Sequence, residues 1–257
     1  MLKAIIVLLL ITLGLFAQKI EAKYHVEYGI VGKVADINVT YLDDGKDYRI
    51  DAYVAAHGHL ANLATQHLRE HHISKGHLEK GMLHTDDYEM HKRYGRYRSK
   101  TLYRANAKRE TLVRIYKLYE KSKIKYSQSK KLPYYSMHDL LTFFLDLPKL
   151  IYHTKTGSCK QFRVIGADRK KGRVDVCLPT ARESKQYKKL LDIDSFKDPS
   201  LLYAKVIMYR KLYHSKQGEL EIAIDKEGIV HKAVLEDVLF FGDVRIVLDK
   251  ITIDKKR

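Results

Sequence analysis

The chain has no tryptophan, only two cysteines and only four prolines in 257 residues. Each scarcity excludes something. With so little proline there is no proline-rich linker, and no glycine-rich stretch replaces it, so nothing divides the chain into two independent domains. Two cysteines cannot build a disulfide-dense scaffold, and without a Cys-x-x-Cys pair thiol exchange has no support. A glycine-rich phosphate loop, a G-x-G-x-x-G turn and a G-x-S-x-G nucleophile elbow are all missing, which removes the common nucleotide-binding and serine-hydrolase readings. No sequence repeat of fixed period is visible. The longest apolar run, Ala4 to Ala17, falls short of the about 20 residues that a membrane-spanning helix needs.

What the N-terminus does contain is informative. Met1-Leu2-Lys3, the apolar run and then Gln18-Lys19-Ile20-Glu21-Ala22 form the pattern of a secretory leader. The expected signal peptide is residues 1–22, with cleavage after Ala17, or an uncleaved anchor, as the alternatives. No cysteine follows the run, so lipid acylation is not expected. The expected location is the periplasm, as one domain over residues 23–257 with a polar insertion near 180–199. The full chain carries a formal charge of +17; loss of Lys3, Lys19 and Glu21 removes one charge and leaves +16. In the cytosol such an excess points to nucleic acid. In an exported protein the anions at hand are envelope lipids and glycolipids, so the expected partners are these or another envelope protein. Nucleic acid is not expected, and any membrane association is peripheral.

Most of the remaining sequence alternates with a period of two. Residues 24–31, 34–42 and 48–54 read as an antiparallel meander, turning at Asp43-Asp44-Gly45. Around Leu60, Leu63, Ala64 and Leu68 the period changes to that of an amphipathic helix, extending to His72. Residues 119–131, rich in lysine and serine, read as a hairpin connection or loop. Ser136, with Asp139 three residues on, reads as the cap of a second short helix that Pro148 stops. Residues 179–199 read as irregular or partly helical, and the remainder as further strands. The expected fold is mainly β: one strongly curved antiparallel sheet, open or spiral and β-barrel-like, with two or so short packed helices. The nineteen tyrosines suit sheet faces with one apolar and one wet side.

The pattern resembles a family of bacterial exported proteins of unknown function, the DUF3108 family. The matching stretches are Tyr24–Gly32, Tyr48–Ala56 with its following helix, Gly76–Tyr88, Ser136–Leu141 and Gly228–Leu235. The resemblance implies an extracytoplasmic, mainly antiparallel β fold, broadly similar to periplasmic lipoprotein carriers. It carries over no catalytic residue. The cysteine hairpin and the insertion depart from that family's pattern.

Three candidate sites follow. Cys159 and Cys177 are expected to pair because export places them in an oxidising compartment. Closing the loop between them stabilises by about 3 kcal/mol. A hairpin turning near Lys170 leaves them a few residues out of register, so the bond needs a bulge or a bent strand. His67-Leu68-Arg69-Glu70-His71 spells the H-x-x-E-H pattern of a zinc hydrolase, in which a helix would put His67 and His71 on one face and leave Glu70 to polarise a water. Against it, eight of the 13 histidines fall between His57 and His91, so such a match arises readily by chance. Those eight, including His77 and His84, could also hold a metal loosely or charge together in mild acid. The favoured reading is a non-enzymatic envelope protein with no cofactor, zinc being the alternative. It would take an apolar or amphipathic ligand, or a partner's segment, on the concave side of its sheet. Tyr28, Tyr53, Leu63, Leu141, Phe144, Val206 and Ile222 are expected to line that site. A structural envelope module is a further alternative.

Overall fold

In the computed structural model, residues 18–167, 169–192, 200–209, 218–238 and 242–255 are described. Strands β1 (Gln18–Tyr28), β2 (Gly32–Asp43) and β3 (Asp47–Ala56) form the opening meander. The turn between β2 and β3 closes because Asp44 accepts from the backbone N–H groups of Lys46 and Asp47 at 3.0 and 2.7 Å. A seven-residue helix α1 (His59–Thr65) leads into β4 (Arg69–Glu79), β5 (Met82–Tyr94), β6 (Tyr97–Ala105), β7 (Leu112–Glu120) and β8 (Lys123–Lys131). Helix α2 (Leu140–Ile151) separates these from β9 (Cys159–Arg163) and β10 (Arg173–Cys177). Helix α3 (Ala181–Leu190) precedes β11 (Leu202–Ile207), β12 (Glu219–Ile224), β13 (Val230–Val238) and β14 (Gly242–Lys255).

All fourteen strands belong to one antiparallel sheet in the order 8-7-6-5-4-3-2-1-14-13-12-11-10-9, not closed between β8 and β9. The first and last strands are therefore neighbours at its centre, with Gln18 opposite Lys255. The sheet curls because one helix satisfies both of its halves. Phe143, Leu147 and Ile151 share a buried cluster with Val174, Val206, Ile222 and Ile224 from β10–β12. One side of the same helix packs Leu141 and Leu145 against Ile20, Tyr41 and Ile50 of β1–β3. Leu140 and Leu141 also reach Tyr88 and Tyr103 of β5 and β6. A flat sheet could not meet a single helix at all three places.

Two buried carboxylates hold α2 there. Asp139 is the N-cap residue, accepting from the N–H groups of Leu141 and Thr142 at 2.7 and 3.1 Å. Its other oxygen accepts from Thr85 Oγ1 at 2.9 Å and from Ser74 Oγ. Asp146 accepts from the Leu83 N–H at 2.7 Å, from Lys149 at 2.9 Å and from His138 at 3.2 Å. Both aspartates therefore tie the helix to the β4–β5 hairpin. The helix also lies tight against the β12–β13 turn: at Gly228, φ +82°, an added Cβ would sit 2.1 Å from the Leu145 carbonyl oxygen.

Several expectations are corrected. The helix expected to reach His72 ends at Thr65, because Gln66 and His67 turn into the left-handed region. From Arg69 onward the chain pairs with β3 on one side and β5 on the other, and this satisfies its backbone groups on both edges. Residues 123–131 are the edge strand β8 rather than a loop. The cap of α2 is Asp139, with Thr142 completing the capping box, and the helix passes through Pro148 to bury Ile151. The stretch read as irregular or partly helical does hold a helix at Ala181–Leu190, capped reciprocally by Thr180 and Glu183. Cys159 and Cys177 are bonded and stand directly opposite each other, since the connection centres near residue 168 rather than Lys170; no bulge is required.

Asp139→Ala removes a helix cap and leaves buried hydroxyls without an acceptor. It is expected to lower stability by about 2–4 kcal/mol, read from urea unfolding followed by circular dichroism.

Candidate functional site

Alternation along each strand gives the sheet two chemically different faces. The concave face carries a half-open cavity of about 200 Å³ between α2 and the central strands. Its walls are Ile20 and Ala22 of β1, Val39 of β2, Ile222 of β12, Ala233 of β13 and Ile246 of β14, with Leu141, Phe144 and Leu145 as its lid. Tyr24 and Tyr41 also line it, and burial pushes both phenol pKa values up, so both stay neutral. The space is smaller than the about 300 Å³ at the low end of drug-sized sites, and larger than the about 150 Å³ apolar cavity that stays dry and accepts benzene. It suits one apolar group or the end of a chain.

Of the residues expected to line a ligand site, Leu141, Phe144 and Ile222 border this cavity. Val206 is fully buried in the neighbouring core, and Tyr28 ends β1 outside the cavity. Tyr53 is on the other face, half exposed and stacked on His71 at 3.8 Å between ring centres. Leu63 belongs to α1, and its side chain is outside the described residues.

The convex face carries a shallower cleft of about 480 Å³ over β3–β7, lined by Tyr53, Arg69, His71, His91, Arg93, Arg98, Lys100 and Tyr119. Asp51 receives hydrogen bonds from Arg49 and His71 there, and Glu89 from His91 and Lys100. Burial alone would raise the Glu89 pKa, but its contacts with Lys100 and His91 hold it down at about 2.

The H-x-x-E-H residues do not assemble as a helix would place them. His67 lies in the left-handed turn before β4, while His71 is in the strand and bonded to Asp51 at 2.7 Å. Glu70 points to the opposite face from His71. Although burial opposes ionisation there, His72 and Lys92 bring its pKa down to about 2, so it is a carboxylate held in ion pairs. The histidine-rich segment instead gathers His77, Glu79 and His84 at the tip of the β4–β5 hairpin, each offering a ligand atom within 4.8 Å of the others. His77 stands directly opposite His84 in the register. The Arg109 guanidinium, 3.2 Å from His77 Nδ1, opposes a cation at that tip. Sequence reasoning placed His77 and His84 in a histidine set that could hold a metal, but missed Glu79 and their close approach, which depends on strand pairing. It also missed Asp146, whose polar side chain gave no sign of burial.

Zinc retained by the untagged protein is expected to be unchanged by His67→Ala in elemental analysis. Loss of one equivalent would show that the motif closes into a site after all.

No family model and no curated protein matches the sequence, so membership of the DUF3108 family is not established. The fold does have a counterpart among solved structures. A crystal structure described as a beta-barrel-like protein of domain of unknown function DUF1849 from Brucella abortus aligns with a TM-score of 0.54 at 9% identity, covering 93% of this chain and 98% of that one. This likeness is one of fold: a mainly antiparallel, barrel-like sheet over nearly the whole length of both chains.

Proposed function

We propose that the protein is a non-enzymatic binding protein of the bacterial envelope that receives the apolar part of an amphipathic ligand between α2 and the concave face of its sheet. The observation that carries this reading is the cavity under α2. It is open on one side, and its walls are almost wholly apolar, so they offer water little to bond and suit an apolar group entering from solvent. The barrel-like neighbour supports the architecture, and its function is itself unknown. Among the described residues no helix is long and apolar enough to cross a membrane, which fits a peripheral role without requiring one.

Export belongs to the same proposal, and the fold bears on where the leader would be cut. Ile20 and Ala22 are core residues of β1, and that strand pairs from Gln18 onward with both β2 and β14. A cut after Ala22 would remove five paired residues from the centre of the sheet. A cut after Ala17 leaves β1 whole and is the one proposed.

Ala233→Leu fills the cavity without adding a polar atom. It is expected to weaken binding of a dansyl-labelled fatty acid tenfold or more, by fluorescence titration, without lowering the melting temperature. Undiminished binding in that variant would end the proposal. Intact-mass analysis of protein exported from its native host is expected to show Gln18 as the first residue.

A further inference from the structure

We infer that the convex face of β4–β6 is a binding site for a compact anion carrying two or more phosphoryl groups. The argument begins with register. Arg69 of β4 stands directly opposite Arg93 of β5, which stands directly opposite Arg98 of β6. Residues paired this way share a face, so three guanidinium groups form a row across three adjacent strands, spaced by about 4.8 Å at the backbone. Ala55 precedes the row on β3 and Tyr119 follows it on β7.

Like charges directly opposite one another destabilise a sheet, so such a row calls for neutralisation. Two residues further along the strands, the neighbouring row of His71, His91 and Lys100 does have carboxylate partners, Asp51 beside His71 and Glu89 beside His91 and Lys100. The arginine row has no such answer. Among the described residues none of Arg69, Arg93 and Arg98 takes part in an ion pair, and Arg98 donates only to Ser122 Oγ at 3.1 Å. All three line the cleft of about 480 Å³, a volume within the usual range for small-molecule sites. Guanidinium forks match phosphoryl oxygens in pairs, and a row of three spans more than a single phosphate can cover. The ligand chemistry is therefore closely spaced phosphoryl groups, free or on a lipid head group. This cleft lies on the opposite face from the apolar cavity, so the two sites stand or fall separately.

The test uses the full mature chain, calorimetry with inorganic phosphate and inorganic pyrophosphate, and co-sedimentation with phosphatidylcholine vesicles with or without cardiolipin, whose head group bears two phosphates. The key variant is Arg69→Gln/Arg93→Gln/Arg98→Gln. The control, Lys75→Gln/Lys155→Gln/Lys185→Gln, removes the same charge away from the row. Pyrophosphate is expected to bind at least tenfold more tightly than phosphate, or cardiolipin vesicles at least tenfold more than plain ones. The arginine variant should lose that binding tenfold or more while the lysine control keeps it. Binding in the pyrophosphate arm identifies a free ligand, and binding in the vesicle arm alone identifies a head group. Equal losses in both variants, or no binding to either probe, would overturn the inference. Because the row is self-repelling, Arg93→Gln should also melt at a higher temperature than the parent protein without ligand; a lower one would count against the row as described.

Discussion

The structure depends on the docking of α2 through Asp139 and Asp146. Burying a carboxylate is costly unless it is hydrogen-bonded, and here each one has several donors from the β4–β5 hairpin, from the helix itself or from His138 just before it. The two titrate in opposite senses. Burial pushes the Asp139 carboxyl up despite its hydrogen bonds. At Asp146 burial is outweighed by His138, the Leu83 N–H and Lys149, which hold the carboxyl below its usual range. Asp146 thus contributes stability that is present above the ordinary carboxylate range and lost as pH falls through its depressed value. A helix anchored by polar ends can leave its apolar flank incompletely packed, and the cavity lies along that flank.

Charge is distributed by face as well as by residue. The concave side is mainly apolar, apart from the buried polar contacts around α2, the Glu70–His72–Lys92 group on β4 and β5, and Arg114 and Lys130 on β7 and β8. The convex side carries most of the ionised groups, and there the carboxylates are concentrated in particular rows. A sequence-wide excess of positive charge therefore becomes a local one over β4–β6, where three arginines face each other without carboxylate partners.

How much of this could be read in the sequence varies by element. The first three strands are visible in their alternation, because one face is buried and the other wet. β4 is hidden: its positions include His71, His72 and His77, which carry no clear hydropathy signal, while Leu68 prolongs in sequence the helical stripe of Leu60 and Leu63 in α1. β8 is hidden for a different reason. It is an edge strand exposed along its whole length, so nothing in Lys123–Lys131 needs to be apolar. Leu141, Phe144 and Ile222 were legible as lining residues because they lie on strongly patterned elements. The arginine row was not, since Arg69, Arg93 and Arg98 are scattered through the sequence and only strand pairing aligns them.

The position of the chain ends within the sheet has one more consequence. Because Gln18 and Lys255 are paired, the spatial order is that of an uninterrupted up-and-down ribbon whose starting point has been moved to its middle. Every strand contact is between sequence neighbours except the seam between β1 and β14. Loop closure makes that seam the slowest pairing to nucleate. Each arm can zip up by itself, but the protein becomes one sheet only when its two extremities meet. The pocket walls around Ile20, Ala22 and Ile246 therefore come together late, once β14 reaches β1.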